Sequence, residues 1–195
     1  MNSLSEVSII QFQHALTSEK VRTFQVIHLG LGLGVFGFGL VVLYLWFVQG
    51  ADHQPGPPDV ELIQIMSIVH AAFAVSLIFL SSFLYEKQFR PERLRTLATQ
   101  PLRTPEGNQV EDPVEKCLSI IRTGIILRLA MLEAAAFFGL VVCTIAALNG
   151  VLVQNTEYAF NAITPLFFLM VVIMTFPTAQ RLEEIFRAKI TASVP

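Results

Sequence analysis

Four apolar stretches, each long enough to cross a lipid bilayer, constrain this chain more than any other feature. They are Val26–Val48, Leu62–Tyr85, Ile125–Leu148 and Tyr158–Pro177. A helix needs about 20 apolar residues to cross roughly 30 Å of hydrocarbon. The 195 residues are 53% hydrophobic and 14% charged, with a mean hydropathy of +0.60. The sequence therefore predicts an all-α integral membrane protein in which these stretches form a four-helix transmembrane bundle.

Basic residues predict the orientation of the spans. None of the 13 Lys and Arg residues lies in Gln49–Glu61 or Asn149–Glu157, the segments that follow the first and third spans. The positive-inside rule then places both termini and the middle loop in the cytoplasm, and we expect a bacterial inner membrane. The first span follows more than twenty charged and polar residues, too late for a cleaved signal peptide, so we expect all four spans in the mature protein.

The two halves of the chain resemble each other. Segments 21–45 and 121–145 align without a gap and share an Arg-Thr pair and, further on, the pentamer FGLVV. Glu86–Arg90, after the second span, also resembles Glu183–Arg187, after the fourth. These matches favour two tandem two-helix hairpins that form a parallel internal repeat. Chance similarity between apolar segments is the alternative.

The spans and repeats divide the chain into five predicted parts. They are a cytoplasmic amphipathic segment 1–20, a first hairpin 21–90, a cytoplasmic loop 91–117, a second hairpin 118–187 and a tail 188–195. Within the first part, Ser3–Glu6 has the form of a capping box, which predicts a short amphipathic helix to about Leu16. Within the loop, we predict a short helix near Pro91–Thr99.

Several classes of chemistry find no support in the sequence. Cys117 and Cys143 would lie about 39 Å apart along one helix, too far for a disulfide. No Cys or His pair has the spacing of a zinc site, and no nucleophile–base set or pair of catalytic acids stands out. The near-neutral net charge of −2 gives no reason to expect a nucleic-acid partner. We therefore predict a protein that is not an enzyme and that needs no metal or cofactor.

Small residues predict where the membrane helices approach one another. Gly30, Gly34 and Gly37 cluster on one helical face of the first span. Ala130 and Ala134 occupy the matching face of the third span, so we expect these two faces to meet. Gly32 and Gly39 lie on the opposite face of the first span, so that helix could serve a second neighbour as well.

Glu133 is the one acidic residue well inside a span, and it is the main candidate for function. A charged carboxylate there costs about 2.5–3.5 kcal/mol, so we expect it to be protonated or paired. The estimated depths place Ser81, Ser82 and Thr175 within its reach, which predicts a proton- or cation-binding site. The alternative is a structural acid that fixes helix register. For His70, in the second span, a hydrogen-bonded packing role is favoured over proton relay.

The stretch Leu129–Val142, LAMLEAAAFFGLVV, resembles the carboxylate helix of the proteolipid c-type subunits of rotary ATPases. That family also carries alternating glycines in a neighbouring helix, as in Gly30–Gly39, and the resemblance implies that Glu133 carries the translocated ion. The order of the helices differs, however, because a cytoplasmic loop of about thirty residues precedes the acid helix here. The whole pattern also resembles small uncharacterised four-span bacterial membrane proteins, which implies no activity.

The sequence thus leads to one functional hypothesis and two alternatives. The hypothesis is a membrane protein that acts in a homo-oligomer or beside other membrane subunits, with the lipid bilayer around it and Glu133 as a buried protonatable site. The first alternative is a purely structural or assembly protein that docks a cytoplasmic partner through its basic middle loop. The second is a small transporter, which would require oligomerisation because four helices are few for one pathway.

Overall fold

The computed structural model describes residues 4, 7–49, 60–99, 102–103, 109–110 and 112–193. Within these ranges the chain is almost wholly helical, with one short antiparallel pair of two-residue strands. The α-helices and strands, in chain order, are α1 Ile9–Ala15, α2 Ser18–Tyr44, α3 Val60–Gln88, α4 Pro91–Thr99, β1 Leu102–Arg103, β2 Gln109–Val110, α5 Pro113–Leu148, α6 Val151–Gln154, α7 Ile163–Met174 and α8 Ala179–Ile185. A π-helical turn, Leu45–Gln49, continues α2. A 3₁₀ helix, Thr156–Ala162, leads into α7, and a second π-helical turn, Phe186–Ile190, follows α8 before a last 3₁₀ turn, Thr191–Ser193.

Among the described residues, four helices are long and apolar enough to cross a membrane, which confirms the four predicted spans. They cover Ser18–Val48, Val60–Gln88, Pro113–Leu148 and Thr156–Met174. The first and third begin well before the apolar stretches that predicted them, because the helical backbone continues through the polar residues that precede the apolar core. The short helix predicted in the middle loop is also present, as α4.

The fourth span ends earlier than predicted. The sequence suggested helix through Pro177 and onward, whereas α7 stops at Met174 and α8 begins at Ala179. Proline has no amide hydrogen and disfavours helical geometry in the residue before it, so the helix cannot run through this point. Thr178 then starts α8, because its hydroxyl accepts a hydrogen bond from the Arg181 amide at 3.2 Å.

The first described helix, α1, begins with a capping box, but not at the predicted residues. Ser8 caps it, with the Gln11 amide donating to the Ser8 hydroxyl at 3.1 Å and the Ser8 amide donating to Gln11 Oε1 at 2.9 Å. The box predicted at Ser3–Glu6 lies outside the described residues apart from Leu4. A capping box needs a Ser or Thr at the N-cap and a Glu or Gln three residues later, and Ser8 with Gln11 meets that requirement.

The described residues divide into two compact units. The first, here called the charged unit, comprises 1–28, 82–128 and 176–195, and these ranges contain all 13 Lys and Arg residues. Its core includes the stacked rings of Phe12 and Phe186, whose centroids are 4.1 Å apart. This stack attaches α1 to the turn after α8 through apolar contact.

The second unit, here called the apolar unit, comprises Leu29–Ser81 and Leu129–Thr175. One of its packed clusters joins α3, α5 and α6 through small and branched side chains such as Ile63, Ala146 and Val151, all fully buried. Many large apolar side chains elsewhere in this unit are exposed, among them Phe79 at 74% and Ile173 at 75%. Exposed apolar side chains are expected where the surrounding solvent is lipid.

Candidate functional site

Glu133 lies on α5 in the apolar unit, half-buried, on the face that points towards α2. A Cβ added to Gly34 on α2 would lie 3.9 Å from Glu133 Oε1 and 3.6 Å from Phe137 Cζ. Glu133 and Phe137 are four residues apart, so they share one face of α5. These are ordinary van der Waals distances, so the carboxylate of Glu133 lies directly beside α2 at Gly34.

Two of the hydroxyls predicted as ligands of this carboxylate donate hydrogen bonds within their own helices. Ser81 is buried and donates to the Ile78 carbonyl at 2.8 Å, and the Thr175 hydroxyl donates to the Val171 carbonyl at 2.7 Å. These hydroxyls bond to their own helices because a carbonyl three or four residues earlier is always close. Ser82 is exposed. Within the described ranges, no hydrogen bond or ion pair to Glu133 occurs.

Of the three glycines predicted to meet alanines of the third span, only Gly34 approaches α5, and it does so at Phe137 and Glu133. Gly34 is close to α5, whereas a Cβ at Gly30 or Gly37 would have no atom within 4 Å, and Ala134 is exposed and Ala130 half-buried.

The opposite face of α2 makes the closer contact. A Cβ at Gly32 would lie 3.0 Å from Val172 Cγ1 on α7. Counting glycines on a helical wheel finds both faces but cannot say which neighbour each face meets.

A buried polar network, which sequence analysis did not predict as a unit, connects α3 to the fourth span. His70 Nδ1 lies 2.7 Å from Asn161 Oδ1, and His70 Nε2 lies 3.0 Å from the Thr164 hydroxyl. Asn161 Nδ2 donates to Ser67 Oγ and to the Tyr158 carbonyl, both at 2.9 Å. Ser67, His70 and Asn161 are all buried.

The donors and acceptors of this network place a hydrogen on His70 Nδ1. Both hydrogens of Asn161 Nδ2 are used, so Asn161 Oδ1 faces the ring and His70 Nδ1 must carry a hydrogen to donate. The Thr164 hydroxyl, which lies beside His70 Nε2, is also within 3.3 Å of the Ala135 and Asn161 carbonyl oxygens, to which it can donate. Both ring nitrogens have a partner, which agrees with the packing role favoured for His70.

Close packing by Gly139 allows this network to form. A Cβ at Gly139 would lie 2.4 Å from the Asn161 carbonyl oxygen, 2.6 Å from Thr164 Oγ1 and 3.0 Å from His70 Cε1. Only a residue without a side chain fits here. The sequence did contain a signal, because Ser67 with His70 and Asn161 with Thr164 are polar pairs three residues apart on apolar helices.

In the charged unit, charged side chains are held in ion pairs. Lys20 pairs with Glu115, Arg187 pairs with Glu183, and Lys189 Nζ lies 2.7 Å from both carboxylate oxygens of Glu86.

The Tyr85 ring also attracts cations in this unit. Arg128 lies 5.5 Å from the ring centroid and Lys189 lies 5.9 Å from it. Such contacts stabilise cations that are partly removed from water.

Neither a metal site nor a disulfide is found among the described residues. No group of three His, Cys, Asp or Glu side chains there has the proximity that a metal ion requires. Cys117 and Cys143 are buried free thiols, as the sequence predicted.

An apolar cavity of about 250 Å³ lies in the apolar unit, between the C-terminal half of α2, α5 and the fourth span. Aliphatic and aromatic side chains and the Cys143 thiol line it, so it has no group for acid–base work.

Comparisons of this chain with protein-family models, with curated proteins and with solved structures returned no match. A function must therefore be argued from the residues alone.

Proposed function

We propose that this integral membrane protein is a non-enzymatic subunit of an oligomeric membrane complex, and that Glu133 is its protonatable or cation-binding group. The proposal depends on one observation: a half-buried carboxylate lies on a candidate membrane span without an ion pair or hydrogen bond to any described residue. A carboxylate in hydrocarbon needs a proton or a counter-charge. A group of this kind is a functional candidate by default.

The surroundings of Glu133 favour a proton over a metal cation. Hard cations take six or more oxygen ligands, including carbonyls, hydroxyls and waters. The hydroxyls of Ser81 and Thr175 donate to carbonyls of their own helices. A proton needs no such cage, and a neutral carboxyl group fits beside Gly34 and Phe137 with little electrostatic cost.

The open glycine face of α2 supports an oligomer. Gly30 and Gly37 are exposed, and a Cβ at either would meet no described atom within 4 Å beyond the nearby backbone of α2 itself. In lipid, glycine faces allow helices from different chains to approach closely, and van der Waals contact then favours association. A second copy of the chain, or another membrane subunit, would cover this face next to Gly34 and so next to Glu133.

The proposal includes the finer architecture that the sequence suggests. The bundle would derive from a duplicated hairpin, with 21–90 and 118–187 as its two copies. Both termini and the loop 91–117 would lie in the cytoplasm, with the N-terminal segment as an interfacial amphipathic helix. The distribution of Lys and Arg and the aligned segments support this arrangement.

Labelling with a hydrophobic carbodiimide tests the role of Glu133. Such reagents react with protonated carboxyl groups, so we expect labelling of wild-type protein in lipid and its loss in Glu133→Gln. Glu157→Gln is the matched control, because Glu157 is an exposed acid of the same unit. Mass spectrometry of the labelled peptides provides the readout. Absence of label on Glu133 at every pH from 5 to 9 would contradict the proposal.

A structural or assembly role is the second candidate, supported by the exposed Arg93 and Arg95 side chains of α4. It predicts that deletion of residues 95–111 abolishes complex formation and that Glu133→Gln leaves the complex unchanged. Co-purification of both variants with membrane partners separates the candidates. The opposite result, loss of the complex in Glu133→Gln alone, would favour the carboxylate.

A further inference from the structure

A cavity of about 530 Å³ in the charged unit is lined mainly by polar and basic side chains. It lies where α3 ends and α4 begins. Three of its lining residues are basic, Lys87, Arg90 and Arg93, and one is acidic, Glu92. It is distinct from the Glu133 site, and it shares only Arg93 with the surface invoked for the structural or assembly role.

The charges of this cavity are not balanced within the described part of the chain. The side chains of Lys87, Arg90 and Arg93 form no ion pair or hydrogen bond there, and all three are exposed. Arg90 lies 5.8 Å from the centroid of the Phe83 ring, a cation–π contact that leaves its charge available. Glu92 alone cannot neutralise three cations.

The helix dipoles favour the position of only one of these three cations. Lys87 lies in the last turn of α3, where a positive charge is favoured. Arg93 lies in the first turn of α4, at the positive end of that helix, where a cation is disfavoured. Arg90, immediately before α4, adds to the same unfavourable field. An anion in the cavity would be attracted by all three side chains.

The walls of the cavity place it at the edge of the hydrocarbon. Leu84 and Leu127 line it, and they lie next to the predicted boundaries of the second and third spans, at Tyr85 and Ile125. Phe83, which Arg90 contacts, is 52% exposed. A ligand that fills this site therefore meets cations on one side and apolar surface on the other.

We infer that this cavity binds the phosphate headgroup of an anionic phospholipid, with the acyl chains along Leu84, Leu127 and Phe83. Lys87, Arg90 and Arg93 contact the phosphate, and the Gln88 amide and Thr96 hydroxyl, which also line the cavity, face the rest of the headgroup. Basic pockets beside membrane helices are the usual sites for such headgroups. Free phosphate shares the headgroup chemistry but lacks the acyl chains.

Native mass spectrometry of the full chain, with phosphatidylglycerol or phosphatidylcholine of the same acyl chains, tests the inference. We expect the anionic lipid to bind preferentially. The double substitution Arg90→Gln/Arg93→Gln should weaken its binding about 30-fold, which corresponds to about 2 kcal/mol for two surface cations. The matched control Arg22→Gln/Arg95→Gln removes two exposed arginines outside the cavity and should change the affinity less than twofold.

Four outcomes would overturn the inference. Equal binding of the two lipids by wild-type protein would exclude headgroup recognition, and equal weakening by both double substitutions would reduce the effect to net charge. Displacement of the anionic lipid by millimolar inorganic phosphate would assign the cavity to the free ion. Displacement by a poly-glutamate peptide would assign it to an acidic protein partner. Circular dichroism of each variant confirms that it is folded before binding is compared.

Discussion

The charged unit holds its polar side chains as ion pairs, whereas the apolar unit holds them as a neutral network. In the charged unit, Lys189 pairs with Glu86 across more than a hundred residues of chain. In the apolar unit, His70 and Asn161 hydrogen-bond to each other, and neither forms an ion pair with a described residue. Both arrangements join distant segments, but they use different chemistry.

Solvent explains this difference. An exposed ion pair contributes about 0–1 kcal/mol in water, because hydration competes with it. In hydrocarbon no water is available, so a polar group must find its partner within the protein and is best kept neutral. Glu133 does not follow the pattern of its own unit, since it has no such partner among the described residues, and that exception identifies it as the functional candidate.

The largest expected effect comes from Gly139→Ala, which tests whether close packing controls the neutral network. The new methyl group would lie 2.4 Å from the Asn161 carbonyl oxygen, a backbone atom that cannot move alone. We expect a loss of about 2–3 kcal/mol in the free energy of unfolding. Chemical unfolding in detergent measures it. The control is Gly39→Ala, where the methyl group would meet only the end of the Leu140 side chain, at 4.0 Å, and stability should be unchanged or slightly higher.

A smaller effect is expected from Asn161→Ala, which tests the hydrogen bonds themselves. The substitution leaves His70 Nδ1 and Ser67 Oγ without their shared partner in a buried site. We expect a loss of about 1–2 kcal/mol in the free energy of unfolding. Ser76→Ala is the control, because that exposed hydroxyl donates only to its own helix at the Ala72 carbonyl. If both variants cost the same, the network has no special role in the apolar unit.

The smallest effect concerns the charged unit and depends on pH. The Gln13 side chain donates to Glu183 at 2.8 Å, and this bond, with a further contribution from Arg187, lowers the pKa of Glu183 below its usual 4.5. A lowered pKa means that the contact stabilises the fold above pH of about 4.5 and that this contribution is lost as pH falls through the lowered pKa.

Thermal unfolding of wild-type protein and Gln13→Ala at several pH values tests this linkage. We expect wild type to unfold at the higher temperature at pH 7 and the difference to close in acid. In a Glu183→Gln background, the effect of Gln13→Ala on the unfolding temperature should no longer change with pH, because the titrating carboxyl group is gone. A difference that is constant from pH 7 to pH 3 would mean that Gln13 acts only through packing.

The sequence predicted the parts of the fold that depend on local composition. Four apolar stretches sufficed for the spans, and the short helix predicted near Pro91–Thr99 is present as α4. The end of the fourth span was wrong by three residues, because apolar composition continued to Pro177 while the proline had already stopped the helix. Hydropathy measures how readily a segment enters lipid. Whether that segment stays helical depends also on backbone geometry, which hydropathy does not include.

The candidate site could be predicted only in part, because it depends on which helical faces meet. The rarity of an acid in a span was enough to select Glu133. Depth estimates then suggested Ser81 and Thr175 as its ligands, but these hydroxyls bond to their own helices. The contacts of Gly32, Gly34 and Gly139 likewise depend on the rotation of each helix, which one sequence does not specify.

The length of α5 has a consequence for everything attached to it. Its 36 residues extend about 54 Å, nearly twice the thickness of the hydrocarbon. Burying it entirely would require a tilt of about 55°, beyond the 0–40° range of membrane helices. At least about ten residues of α5 therefore continue as helix beyond the hydrocarbon. A segment joined at Pro113 starts roughly 10 Å from the lipid tails.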